Sequence, residues 1–302
     1  MSGTDASLQT NAPLDEQQKK AWMWVIGLGL VVLYCYWNSF ESTAETWTNS
    51  TYNHGYLIPV FSIFLLWHWR QPFKPAKTNE IWIAVAIIAA ATAIRVFVGT
   101  VYFTIDRLSF LACITAVFLF VGGFRCLRWS GPAIAFSVFM FPWPGWFSDN
   151  VMRPMQRIAT MMSTYSLQTL GIDAYQDGNR IILEHTPLNV AEQCSGLRML
   201  TIFIALSVAM AMISSHRPMW ERILVVLSSP PIALLVNSIR ITVIGFLTSM
   251  ELGGEPLQRI FHDFAGLIMM PLAIGFLFLE MYILARVVIE DKQETTLAPG
   301  LQ

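Results

Sequence analysis

Residues 195–214 read SGLRMLTIFIALSVAMAMIS, an apolar run broken by a single charge, Arg198. As a helix it would extend about 30 Å, the thickness of a bilayer's hydrocarbon core. In lipid such a helix satisfies its own backbone hydrogen bonds, and its side chains need no polar surroundings. Similar runs recur along the chain near 21–40, 54–69, 80–99, 107–123, 129–146, 222–249 and 262–289. Together they predict eight spanning helices. The run at 54–69 is short, and Pro230-Pro231 near the start of 222–249 predicts a kink or a surface segment there.

Composition agrees with a membrane protein. Of 302 residues, 55% are hydrophobic and only 13% charged, where a soluble domain carries about 25% charged residues. Mean hydropathy is +0.52. The net charge of −1 gives nucleic acid nothing to bind. The four cysteines, Cys35, Cys113, Cys126 and Cys194, form no C-x-x-C and no metal-type spacing, which argues against a disulfide framework, a metal site or a cofactor. Three of them lie in or beside apolar runs, where cysteine packs as a small hydrophobe. Cys194 alone lies among polar and small residues.

The polar segment 1–20 ends in Lys19-Lys20 before the first apolar run. A signal peptide is the competing reading, because Ser42-Thr43-Ala44 resembles a cleavage site. The length of the run and its tryptophans and tyrosines favour a retained anchor. Short loops with Arg70, Lys74 and Lys77, with Arg125 and Arg128, and with Arg217 and Arg222 alternate with loops 41–53 and 100–106, which carry no lysine or arginine. The positive-inside rule then puts both termini in the cytoplasm. Arg107 and Arg259 are single exceptions on the other side. The organisation expected is a cytoplasmic tail (1–20), an eight-span membrane domain (21–289) and a cytoplasmic tail (290–302) that looks disordered.

One outer connection, 147–194, is long. Within 150–170, Val151, Met155, Ile158, Met162 and Leu167 share one side, which predicts an amphipathic helix on the outer membrane surface. Asp177-Gly178-Asn179, between Ile172–Gln176 and Arg180–Leu183, predicts a β-hairpin that delivers the chain to Cys194. The fold class is thus an all-α polytopic membrane protein with a small extracytoplasmic helix and hairpin cap.

This topology puts three unusual residues on the outer side: Cys194 at the start of one span, Arg240 in the outer half of the next, and His262 opening the last. A thiol at a helix N-terminus meets the positive end of the dipole, which favours thiolate. The unpaired N–H groups there can donate to an oxyanion, and Gly196 admits close approach of another chain. An imidazole relays protons near neutral pH. A guanidinium in the bilayer costs at least about 2.5–3.5 kcal/mol, so it has a partner or a task. Each has a plainer reading as well: a packed cysteine, a buried ion pair, an interfacial histidine.

Several motifs resemble those of the exosortase/archaeosortase family of membrane transpeptidases. They are His54-Gly55-Tyr56-Leu57-Ile58-Pro59, Phe141-Pro142-Trp143-Pro144-Gly145, Ala191–Arg198, Asn237-Ser238-Ile239-Arg240, and His262-Asp263 with Gly266. The resemblance implies a site of Cys194 as nucleophile, His262 as proton shuttle and Arg240 to stabilise the oxyanion or orient the thiolate. It further implies substrate proteins ending in a short motif such as Pro-Glu-Pro, a hydrophobic helix and a basic tail, cleaved at the outer face of a bacterial inner membrane. Arg198 is a candidate to hold an acidic residue of the substrate, or it snorkels to headgroups. Glu192, Ser195, Gly196, Asn237 and Asp263 are candidate supporting or substrate-binding groups, although Asp263 points about 100° from His262 on a helix. The role of His54 is open. Expected partners are such substrates and membrane lipids. The alternative is a non-enzymatic transporter or lipid-handling protein with Arg240 as an anion site. A thiol–disulfide oxidoreductase fits poorly, for want of a second outward cysteine in a polar setting.

Overall fold

A computed structural model describes residues 16–48, 52–99, 102–183, 186–189, 196–215, 217–250, 271–272, 274–284 and 286. It divides into two compact units, Met1–Val151 and Met152–Gln302. Among the described residues, three helical stretches are long and apolar enough to cross a membrane: Thr78–Gly99, Phe103–Met140 and Met219–Ser249. A fourth counts if the bent pair α1 (Glu16–Cys35) and α2 (Trp37–Thr48), which meet at 79°, is one span. The run expected to span at 21–40 is therefore broken near residue 36. The run at 54–69 forms only α3, Leu57–His68, at about 18 Å too short to cross alone.

In the first unit, α4 (Thr78–Ile94) continues into a π-helical turn, Arg95–Gly99, and α5 covers Phe103–Phe136. A straight α5 would extend about 50 Å, well beyond a bilayer core. It is not straight. Gly123 takes φ 65° and ψ −169°, left-handed backbone that favours glycine. The Phe118 and Trp129 rings lie 6.0 Å apart, where a straight helix would separate them by about 16 Å. Leu108 and Val138 line one cavity, where a straight helix would hold them about 45 Å apart. So α5 folds back on itself: its first limb occupies the run read from sequence as 107–123, and its second, with the turn that follows it, ends at Met140, short of the full run read as 129–146. Glu80 serves both neighbouring helix starts: its carboxylate accepts from the Lys77 N–H at 2.7 Å and from the Phe124 N–H at 3.3 Å.

One of the quoted motifs, His54–Pro59, has a packing role here. A Cβ on Gly55 would fall 2.2 Å from the Trp47 ring, and the Trp47 indole N–H donates to the Met140 carbonyl at 2.7 Å. Glycine at 55 thus lets the indole pass and tie α2 to the end of α5. Outward faces of these helices carry Trp82, Phe97 and Val60, all well exposed, as suits side chains that face lipid.

The second unit holds α6 (Arg153–Thr169), α7 (Gly196–Ile213), α8 (Met219–Ser249) and α9 (Ile274–Leu284). Helix α8 runs through Pro230-Pro231 without a break, so its start is not a separate surface segment. Pro230 has no N–H for the Val226 carbonyl, and the Ser229 hydroxyl donates to that carbonyl instead, at 2.8 Å. Hydroxyl side chains commonly rescue prolines inside membrane helices in this way.

Helix α6 packs into the second unit mainly through a face other than the apolar stripe read from sequence. It buries Gln156, Ala159, Thr160, Ser163, Thr164 and Leu167, and leaves Ile158 and Met162 exposed. Ser163 donates to the Ser238 carbonyl at 3.0 Å, and a Cβ on Gly245 would fall 2.8 Å from Leu167 Cδ1. Rising numbers on α6 meet rising numbers on α8, so α6 lies lengthwise beside α8. Small residues let the backbones approach, the usual means of helix association in membranes.

After α6 comes a three-stranded antiparallel sheet, β1 (Ala174–Asp177), β2 (Arg180–Leu183) and β3 (Thr186–Asn189). Strands β1 and β2 pair from Ala174↔Leu183 to Asp177↔Arg180 around Gly178, at φ 60°. Strand β3 adds to the expected two and pairs Arg180↔Asn189. Ile181 and Leu183 point inward onto Leu167, Ile241 and Ile244, so the sheet is anchored on α6 and α8. Residues 290–302 lie outside the described residues.

Candidate functional site

Helix α8 buries Ala233, Val236, Asn237, Arg240, Ile241, Ile244 and Gly245. Spacings of three and four put these on one face. Five of the seven are apolar or small; the other two, Asn237 and Arg240, are nearly inaccessible, at 5% and 7% exposure. The Nε of Arg240 and the Oδ1 of Asn237 are buried without a hydrogen-bond partner. Among the described residues Arg240 forms no ion pair. A bare guanidinium in such a place is costly, and its N–H donors remain available to a negative oxygen.

Asn237 also borders a small cavity of about 20 Å³, with Gln156, Ala159, Leu200 and Ala233 among its lining residues. Gln156 is fixed from the sheet: its Oε1 accepts from Asn179 Nδ2 at 3.2 Å. Helices α7 and α8 run antiparallel. Arg222 Nε donates to the Ala211 carbonyl at 2.6 Å at one end, and Leu200 shares the cavity with Ala233 and Asn237 nearer the other. Gly196 begins α7 and Arg198 falls in its first turn.

Of the residues read from sequence, Asn237 and Arg240 are brought together on one buried face. Cys194, Glu192, Ser195, His262 and Asp263 lie outside the described residues, as does Gly266. His54 is buried in the 3-10 turn Asn53–Tyr56, with its ring 6.2 Å from that of Tyr52. Among the described residues no three His, Cys, Asp or Glu side chains gather as metal ligands do.

The sequence reading passed over a second intramembrane arginine. Arg95 pairs with Asp106 at 3.2 Å, packs 3.9 Å from the Tyr36 ring centroid and donates to the Cys35 carbonyl. Tyr36 in turn shares a 2.8 Å hydrogen bond with Ser109. The signal was present: an arginine deep in an apolar run must find a counter-charge, and Asp106 opens the next run. Glu280 on α9 was missed likewise; it accepts from Ser228 on α8 at 2.6 Å.

A family model described as transmembrane exosortase matches residues 46–279. No curated protein and no solved structure matches the chain.

Proposed function

We propose a function from one premise: the chain belongs to the transmembrane exosortase family. That family carries out protein sorting by transpeptidation, and this chain is proposed to be a cysteine-dependent member of it. Its substrates would be membrane proteins with a C-terminal motif, hydrophobic helix and basic tail, cut at the outer face of the inner membrane.

The observation that carries the reading is Arg240, buried and without a partner among the described residues, one turn from Asn237 on the same buried side of α8. Ala211 lies by Arg222 and Leu200 by Ala233. Continued toward the start of α7, this antiparallel register brings Gly196 level with Asn237. The chain entering α7 would then pass close to Arg240, and Cys194 is two residues before that start. In the proposed reaction the Cys194 thiolate attacks the scissile carbonyl carbon. Arg240 and the unpaired N–H groups of the α7 start hold the resulting oxyanion. The C–N bond breaks, and the leaving amine takes a proton from the His262 imidazolium. An acceptor amine or water, giving its proton to His262, then attacks the thioester and releases the thiolate. Arg198 and Asn237 are proposed to orient the substrate, with Glu192, Ser195 and Asp263 supporting the site.

The test is processing of a co-expressed substrate. Cys194→Ala and Cys194→Ser should insert normally and leave the substrate uncut, and mass spectrometry of wild type should find the acyl group on Cys194. Unchanged processing in both variants removes Cys194 as nucleophile. The bare guanidinium also suits a second reading, a non-enzymatic anion or lipid site at Arg240. Transport or lipid binding that survives thiol alkylation but is lost in Arg240→Ala would favour it.

A further inference from the structure

Arg107 has no part in that reaction, and its surroundings describe a different site. It lies near the N-terminal end of α5, beside the loop that carries Phe141-Pro142-Trp143-Pro144. Its Nε donates to Thr43 Oγ1 at 3.1 Å. A guanidinium has five N–H donors, and the others meet no acceptor among the described residues. The adjacent carboxylate, Asp106, is engaged by Arg95. Two guanidiniums therefore share one carboxylate, and the surplus positive charge rests on Arg107. Tyr52, the other ionisable neighbour, has its pKa raised by burial, so it stays a neutral phenol.

Arg107 borders a cavity of about 200 Å³ whose other walls include Leu108, Val138, Phe141, Trp143 and Phe147. Besides Arg107, only Thr104 among the lining residues has a side chain able to hydrogen-bond apart from the two tryptophan N–H groups. Among the lining residues Trp146 is 69% exposed, an aromatic ring of the kind found where a bilayer meets water.

We propose that this cavity binds an anionic phospholipid, with Arg107 holding the phosphate and the apolar walls holding the start of an acyl chain. Charge complementarity selects an anion, and planar N–H pairs suit phosphate oxygens. The walls select a lipid over a peptide. A peptide's N–H and C=O groups would be buried against apolar side chains without partners, which is costly; an acyl chain has no such groups. The site is independent of the peptidase reading.

The experiment is native mass spectrometry of the full-length, delipidated protein titrated with phosphatidylglycerol or phosphatidylcholine. Wild type should retain phosphatidylglycerol in preference to phosphatidylcholine. Arg107→Ala should weaken phosphatidylglycerol retention by about tenfold, as the loss of a charge-assisted contact predicts, and leave phosphatidylcholine unchanged. Val138→Trp keeps the charge but fills the cavity, and it should weaken retention as well. It also decides the matter if Arg107→Ala does not insert. Excess inorganic phosphate should fail to displace the lipid. Equal retention by wild type and either folded variant, no preference between the lipids, or displacement by phosphate alone would overturn the proposal.

Discussion

Arg95 in the first unit and Arg240 in the second both lie within apolar helices, but their surroundings are opposite. Arg95 has a carboxylate, an aromatic face and a backbone carbonyl around it. Arg240 is more deeply buried and has none of these among the described residues. The first arrangement discharges the cost of a buried cation locally and binds three helical segments together. The second leaves that cost standing. A charge kept bare inside a membrane helix is what a protein retains for a ligand or a transition state, since packing alone would favour an apolar side chain. On the proposed function, the contrast separates an arginine that holds the fold from one kept for the reaction.

The largest expected effect sets the two apart directly. Arg240→Met should lower substrate processing by about 100- to 1000-fold, the range for loss of an oxyanion donor. The same change should raise resistance to thermal unfolding in detergent, because an uncompensated charge is gone. A fall in stability would break the comparison by showing that Arg240 is structurally partnered. Asp106→Ala is the converse: it strands Arg95, and stability should fall by about 3 kcal/mol. That is the low end for a buried pair, because the Arg95 side chain is still 26% exposed. Processing per folded molecule should hold, measured against protein quantified by size-exclusion chromatography.

Two smaller changes sharpen the contrast. Gly245→Ala puts a methyl 2.8 Å from the end of the Leu167 side chain, which must shift, at a cost of about 1 kcal/mol. Processing should fall further than this loss of stability alone accounts for, if α6 fixes the face that carries Arg240; equal losses would make that contact generic packing. Tyr36→Phe removes the hydroxyl bonded to Ser109 but keeps the ring beside Arg95. A loss of about 1 kcal/mol, read from chemical denaturation, would show that the ring and Asp106 suffice to hold the guanidinium.

Parts of the fold were legible because a helix in lipid needs a long apolar run and little else. The runs read as 80–99, 195–214 and 222–249 contain helices at Thr78–Gly99, Gly196–Ile213 and Met219–Ser249. The turn at Asp177-Gly178 was legible from local backbone chemistry alone. The fold-back at Gly123 was not, since Gly122-Gly123 in an apolar run reads equally well as helix packing. Nor was the burial of α6. Its apolar stripe is split: Leu167 packs on α8 with small and hydroxyl side chains, while Ile158 and Met162 stay exposed. In the site, Arg240 was legible as a charge out of place, and Arg95 was equally so but went unread.

By itself the amino-acid sequence determined that this chain is built of membrane helices, and it named Arg240 as an anomaly, because hydrophobic length and isolated charge are properties of single segments. Only the tertiary structure decided that Arg95 is answered by Asp106 and Tyr36, and that Arg240 lies buried beside Asn237 with no partner among the described residues. Lipid and a neighbouring helix are alike apolar, so the pattern along one helix does not say which of them a side chain meets. The partner of a buried charge comes from another segment, and segments find one another only through packing.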